Sequence, residues 1–322
     1  MKININKNWK LMLPAKKISA LTLVLLLTAA VLPAAAAPLS VAVSIPPQKY
    51  FIDRIGGEDV TVTVLTGKGK DPHAYEPTAA QMAAMSKAKL YFAIGVPFET
   101  QWLPKFRDIN PSLRIISLLD GIERLHGKPD LALRGERQEN GHHHAHAGHG
   151  HAHDHGLETD DPHVWLSPKV MVSMIPAMTK ALSEAYPGKT AVFAERAAAL
   201  TDAVKAVDTR IESLFASLPP DKRLFMTFHQ SWAYYTHAYG LREVSVELEG
   251  RDPSPKAMAK LMEFAAQNAI HVIVADPMTT QSAVRAIAKS INGAVVIATP
   301  LEEDWPASMT TFSETLAKAL QQ

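Results

Sequence analysis

The sequence contains no cysteine at any of its 322 positions. Without cysteine the chain cannot form disulfides, so hydrophobic packing must supply its stability. A zinc site in this chain must use histidine and carboxylate side chains, because thiolates are not available. The same absence excludes a lipid anchor attached through cysteine. The chain also has an excess of only one basic residue, with 33 Lys and Arg against 32 Asp and Glu, and we therefore expect no binding to nucleic acid.

The first 36 residues have the composition of a secretory signal peptide. An apolar run at residues 18–31 is shorter than the roughly 20 residues that span a bilayer, and small residues at 34–36 precede a cleavage point. A retained N-terminal anchor is the alternative. Cleavage after Ala36 removes five lysines and no acids, which changes the formal net charge from +1 to −4. We expect a periplasmic protein, exported by this signal and without a lipid anchor.

The rest of the chain has the pattern of an α/β protein. Predicted strands and helices alternate through residues 39–120, and the same alternation restarts at residue 223, which indicates mostly parallel sheets covered by helices. Residues 190–218 contain no Gly or Pro, and their apolar residues recur at three- and four-residue steps, which predicts a long amphipathic helix. We predict two (β/α)-type lobes, at 37–188 and 219–322, joined by one backbone helix at 189–218. An ordinary surface helix of a single domain is the alternative.

A histidine-rich run lies in a long polar loop predicted at residues 121–160. Eight of the fourteen histidines fall within fourteen positions of this loop, separated mainly by small residues. Such a composition cannot form a packed core and is typical of a flexible, metal-binding segment. An expression tag is the alternative, although tags lie at chain ends. The predicted auxiliary, weak metal ligands are His142, His143, His144, His146, His149, His151, His153 and His155.

Three other histidines each lie at the edge of a predicted element. His73 and His163 occur in two copies of the tripeptide Asp-Pro-His, and His229 ends the predicted strand RLFMTFH. Proline restricts the residue before it to extended or turn conformations, and the Asp of each copy could hydrogen-bond an imidazole N–H. Ligands bind outside the carboxyl ends of strands in open α/β sheets. The three histidines could therefore meet in a cleft between the lobes and bind zinc.

A fourth ligand could be Asp276, the last residue of the predicted strand IHVIVAD. This carboxylate would close a tetrahedral site, whereas a water would leave it open; Asp276 could equally cap the next helix. Weaker candidate ligands are Glu76, Glu247 and Glu249. We expect structural or exposed roles for His126, His237 and His271.

The segments DPHAYEPT, DPHVWLSP, FHQSWAYYTHAYGL, DPSPK and PLEEDW follow one another in this order. Together they resemble the zinc-specific periplasmic solute-binding proteins of ABC importers, the ZnuA-like members of the metal-binding cluster A-I family. The resemblance covers essentially the whole mature chain. It implies two lobes joined by one backbone helix, with Zn²⁺ bound in the cleft by His73, His163 and His229. Asp276 stands where manganese-binding and some zinc-binding relatives place or approach a carboxylate, whereas many ZnuA-like chains leave the fourth position to water.

The predicted function is high-affinity zinc capture in the periplasm and delivery to an ABC-transporter permease, without catalysis. We expect a monomer, with a periplasmic metallochaperone as a further partner. Three imidazoles favour zinc over manganese, which prefers oxygen ligands. The alternatives are a solute-binding protein for manganese or another divalent metal, and a periplasmic zinc buffer or chaperone that uses the histidine-rich loop. A zinc hydrolase would need a placed general base, and the sequence contains no HExxH motif or nucleophile elbow.

Overall fold

The computed structural model describes residues 37–67, 69–125, 160–247, 254–277, 279 and 281–322. The predicted signal peptide and the histidine-rich run lie outside this part of the chain. Among the helices of the described residues, none has the length and apolar character that a membrane span requires.

The first sheet has four parallel strands in the order β2-β1-β3-β4. The strands are β1 (Leu39–Val43), β2 (Val60–Val64), β3 (Leu90–Ala93) and β4 (Arg114–Ser117), and they alternate with the helices α1 (Pro46–Gly56), α2 (Ala79–Met85) and α3 (Phe98–Ile109). Thr78 caps α2 because its side chain accepts the Gln81 backbone N–H. Every residue of the inner strand β3 is buried, as expected for a strand covered on both faces.

The second sheet repeats this topology with the order β6-β5-β7-β8. Its strands are β5 (Leu224–Thr227), β6 (Arg242–Ser245), β7 (Val272–Ala275) and β8 (Ala294–Ile297). Its helices, numbered after the two described next, are α6 (Ala233–Tyr239), α7 (Pro255–Gln267), α8 (Gln281–Ser290) and α9 (Trp305–Leu320). In both sheets the strand order reverses beside the first strand, and ligands bind at such a point, outside the carboxyl ends of the strands.

Two long helices lie between the sheets in sequence. Helix α4 spans Pro168–Ala185 and begins with Ser167 as N-cap, and α5 spans Thr190–Ala216. The predicted helix through Leu218 ends two residues earlier, because the residue before Pro219 is disfavoured in helical conformation. Helix α5 packs against α1 and α4 on the first sheet's side and against α9 on the second. The predicted α/β fold of two lobes and one long helix is confirmed.

The hydrophobic core is continuous from the first sheet into the second lobe. One cluster of buried side chains includes Phe51 of α1, Trp165, Phe193 of α5, and Trp305 and Phe312 of α9. A second cluster fills the other face of the second sheet, under α7 and α8. Pro38–Gln322 forms one compact unit. The lobes are therefore joined by shared packing in addition to α5, while the boundaries at 188 and 218 stay predictions.

Candidate metal centre

Three imidazole rings meet where the two lobes face each other. The ring centroids of His73, His163 and His229 lie 5.2–5.6 Å apart, and one ring nitrogen from each lies within 4.8 Å of the other two. Zn–N bonds of about 2.0–2.1 Å in a tetrahedron separate the ligand nitrogens by roughly 3.3 Å. Small side-chain movements would therefore bring all three nitrogens onto one ion. No other group of three or more His, Asp or Glu side chains among the described residues could hold a metal in this way.

His73 lies in the loop that follows β2, within the first Asp-Pro-His tripeptide. The Oδ1 atom of Asp71 accepts the backbone N–H of His73 at 2.8 Å. This bond closes a local turn in which the aspartate side chain replaces a backbone acceptor. The turn presents the imidazole toward the other two rings.

His163 lies in the second Asp-Pro-His tripeptide, and its position is more constrained. Asp161 Oδ1 accepts the backbone N–H of His163 at 2.8 Å and also lies 2.8 Å from its ring Nδ1. Both side chains are buried. The expected bond between aspartate and imidazole is therefore present in this copy, whereas Asp71 of the first copy accepts the backbone N–H of its histidine. Because Nδ1 of His163 is bonded to Asp161, Nε2 is the nitrogen left for a ligand.

His229 follows β5 by two residues and comes from the second lobe. Its Nδ1 lies 2.9 Å from Oε2 of Glu247, which follows β6 by two residues. Its Nε2 is buried and has no hydrogen-bond partner among the described residues. A buried polar atom without a partner is costly and needs an explanation. A metal ion at the centre of the three rings would supply that partner.

The surroundings shift the pKa values of two of these imidazoles in opposite directions. Burial lowers the pKa of His73 to about 4, and the neighbouring His163 and His229 act in the same direction. Burial also lowers the pKa of His229, but the hydrogen bond and charge of Glu247 outweigh it, and the net shift is upward. A proton is therefore retained more readily on His229 than on His73.

The other candidates of the sequence lie elsewhere or have other contacts. Asp276 follows β7 and is not a member of the three-histidine group; its role as a fourth ligand stays a prediction. Glu76 is exposed, and Glu247, a weaker candidate ligand in the sequence, contacts the Nδ1 atom of His229. His237 is exposed on α6, and His271 Nδ1 lies 3.0 Å from the Ile291 carbonyl oxygen. The candidates outside the described residues are Glu249, His126, His142, His143, His144, His146, His149, His151, His153 and His155.

Sequence reasoning did not single out Glu243, a carboxyl on β6. Its Oε2 accepts hydrogen bonds from Thr227 Oγ1 at 3.2 Å and from the Trp232 backbone N–H at 3.3 Å. Burial raises its pKa to about 8, and the charge of Asp161 adds to this shift. The sequence gives no signal for the burial of this carboxyl, because a glutamate on an edge strand ordinarily faces water.

Comparisons with known proteins give matches to zinc-uptake and zinc-binding proteins. A family model described as zinc-uptake complex component A, periplasmic (ZnuA) matches residues 41–322. The zinc-binding lipoprotein AdcA of Streptococcus pneumoniae is 28% identical over 300 residues, covering 88% of this chain and 55% of AdcA. The chain thus spans about half the length of the first curated relatives it matches.

Solved structures also match along most of the chain. A crystal structure of ZnuA aligns with a TM-score of 0.75 at 30% identity and covers 88% of this chain and 99% of the ZnuA chain. A zinc-bound deletion mutant of ZnuA gives the same TM-score and identity, with 88% and 98% of the two chains covered.

Proposed function

The chain belongs to the ZnuA family of periplasmic zinc-uptake components, and we propose that it captures zinc in the periplasm and delivers it to the permease of an ABC importer. The observation that carries this proposal is the group of three imidazoles, in which the buried Nε2 of His229 has no partner among the described residues. The proposed work of the protein is binding and release, without bond-making chemistry.

We propose His73, His163 and His229 as the zinc ligands. The first two come from the first lobe and the third from the second, so one ion would bind both lobes at once. His163 and His229 would use Nε2, because Asp161 and Glu247 hold their Nδ1 atoms. A carboxylate behind a ligating imidazole fixes its tautomer and orientation and increases its basicity.

The chemistry of these groups supports zinc as the cargo. Imidazole nitrogens suit zinc, whereas manganese and magnesium prefer oxygen ligands. The carboxylates of Asp161 and Glu247, one behind each of two ligands, would offset the double charge of the ion. Asp276 or a water would complete the coordination, and we propose Asp276 because it follows the carboxyl end of β7 in the second lobe.

The same contacts disfavour the hydrolase alternative. A zinc hydrolase needs a carboxylate or imidazole placed to take a proton from metal-bound water. Asp161 and Glu247 are instead bonded to the imidazoles of the cluster. We propose a monomer that is exported by the predicted signal at residues 1–36, carries no lipid anchor and uses a periplasmic metallochaperone as a further partner.

The direct test is a competition titration of the mature chain, residues 37–322, against a chromophoric zinc chelator. We expect one tight zinc per chain and weaker binding of manganese. His229→Ala should weaken the tight site more than about a hundredfold, since loss of an outer partner alone costs about 10–100-fold. His237→Ala removes an exposed histidine of the same segment and should leave the tight site unchanged. Equal losses in the two variants, or tighter binding of manganese, would contradict the proposal.

A further inference from the structure

Two buried tryptophans, one from each lobe, each donate an indole hydrogen bond to a backbone carbonyl of the other lobe. Trp165 lies in the short turn Val164–Leu166 beside the first lobe, and Trp305 is the first residue of α9 in the second. The indole N–H of Trp165 donates to the Pro300 carbonyl at 2.7 Å, and that of Trp305 donates to the Trp165 carbonyl at 2.8 Å. The two side chains are 0% and 2% exposed. We call these two tryptophans and the Pro300 carbonyl the tryptophan clasp.

The clasp adjoins one of the proposed ligands. The Trp165 ring packs against the His163 ring with centroids 5.2 Å apart. On the other side of His163, the Asp161 backbone N–H donates to the Leu125 carbonyl at 2.8 Å. The backbone that carries His163 is therefore hydrogen-bonded to Leu125 before the histidine and to the second lobe after it.

The second-lobe partner of the clasp is itself held by α1. The Trp305 ring packs edge-on against Phe51 at 5.2 Å, and Lys49 Nζ lies 2.6 Å from Glu303 Oε1. The ion pair is partly exposed and contributes little, because water screens it. The hydrogen bond from Trp305 to the Trp165 carbonyl is buried, and loss of its donor would leave a buried carbonyl without that partner. The hydrogen bond from Trp165 to the Pro300 carbonyl is partly buried.

We propose that Trp165 and Trp305 are positioning residues that set the distance between His163 of the first lobe and His229 of the second. A site whose ligands come from two lobes binds tightly only when the lobes hold the ligands near the bound geometry, because ordering them during binding costs affinity. The clasp connects the two lobes directly beside His163, whereas α5 joins them through the helices behind the sheets. This inference rests on the proposed zinc site.

The test variant is Trp305→Phe, which retains an aromatic ring against Phe51 and removes the N–H that Trp165 accepts. In the full mature chain we expect the zinc dissociation constant to rise about tenfold, the lower end of the range for outer partners of a metal ligand. The matched control is Tyr235→Phe, which removes a buried hydroxyl bonded to Ser313 at 2.6 Å within the second lobe. Both variants should lower the melting temperature, but only Trp305→Phe should weaken zinc binding.

A second experiment measures the distance between the lobes in the metal-free protein. Since the chain has no cysteine, spin labels can be attached at Lys87→Cys in the first lobe and Lys289→Cys in the second, both exposed positions. Pulsed electron paramagnetic resonance of the metal-free protein should give a broader or shifted distance distribution in Trp305→Phe than in the wild type or Tyr235→Phe.

The two measurements separate failure of the clasp from failure of the zinc site. Unchanged zinc affinity and unchanged distances in Trp305→Phe would overturn the inference. If Trp305→Phe does not fold, both measurements are made on Trp165→Phe, which removes the donor to the Pro300 carbonyl. A wild-type chain without a tight zinc site would refute the proposed function, while the distance measurement would still decide whether the clasp holds the lobes.

Discussion

The same tripeptide, Asp-Pro-His, occurs twice in the metal centre with different surroundings. In both copies the aspartate Oδ1 accepts the histidine backbone N–H at 2.8 Å. Asp71 of the first copy is exposed, whereas Asp161 and His163 of the second are buried, and Asp161 also contacts the ring Nδ1. The local sequence thus determines the backbone turn, and the tertiary surroundings determine what holds the imidazole.

This contrast gives the two histidines different parts in the proposed site. His163 is held by the Asp161 carboxylate and by the Trp165 ring, so its ring has a defined place. For His73, the effect of burial and of the other imidazoles is a pKa of about 4, which leaves its ring uncharged near neutral pH. We interpret His163 as the proposed ligand whose ring is held by a carboxylate, and His73 as the proposed ligand that is uncharged near neutral pH and held through its backbone turn.

The largest effect should follow from removal of either imidazole. His73→Ala and His163→Ala should each weaken tight zinc binding more than about a hundredfold, because each removes a proposed ligand and loss of outer partners alone costs about 10–100-fold. Competition titration against a chromophoric chelator measures both, with His271→Ala, whose imidazole faces the Ile291 carbonyl, as the control. A loss for His163→Ala alone would mean that the first copy is only a structural turn.

A smaller and unequal effect should follow from neutralising the two aspartates. Asn can still accept the backbone N–H, so Asp71→Asn and Asp161→Asn should both retain the turn. Asp161→Asn also removes the charge beside the His163 ring and should weaken zinc binding about tenfold. Asp71→Asn should change it by about twofold, since the bond recorded for Asp71 is to the backbone. Equal losses would show that both carboxylates act on their imidazoles.

The sequence predicted the elements of this site better than its contacts. The apolar periods placed the long helix to within two residues and located both strand–helix alternations, because these signals are local. Because His73, His163 and His229 lie at the edges of predicted elements, the sequence indicated that their side chains could meet. The structure brings these three imidazoles together. The contact between Glu247 and His229 joins residues that follow neighbouring strands, and no local pattern indicates such a pairing.

The interface between the lobes was harder to predict. Trp165 and Trp305 lie 140 positions apart. The local sequence around each of them indicates only an ordinary core aromatic. A long helix without Gly suggested that α5 alone joins the lobes. The continuous core depends on the packing of α1 and α9 and therefore on the relative orientation of the two sheets, which no local pattern indicates.

Acid should affect the metal-free protein through the first copy. The pKa of His73 is about 4 in the folded chain and about 6.5 in an unfolded chain. The unfolded state therefore binds the proton first, and the stability that the neutral imidazole confers is complete above pH 6.5 and is lost as the pH falls toward 4. Compared with His73→Asn, the wild type should lose more of its melting temperature between pH 7 and pH 4. His237→Asn, at an exposed position, should follow the wild type.

The smallest effect on the tight site should follow from deletion of residues 141–156. The histidine-rich run lies between Leu125 and Asp160 in the sequence, and Asp160 directly precedes the second tripeptide. The Leu125 carbonyl accepts the Asp161 N–H at 2.8 Å, and Tyr234 of the second lobe accepts the Leu125 N–H at 2.9 Å. The deletion leaves these residues in place, so the dissociation constant of the tight zinc should change by less than about twofold, and zinc should still raise the melting temperature by mass action.

The weak zinc ions that we expect in the intact chain should disappear, because their proposed ligands are removed. Calorimetric titration of the two chains gives both quantities, and loss of the thermal shift upon deletion would make the loop, and not the three histidines of the cleft, the principal zinc site.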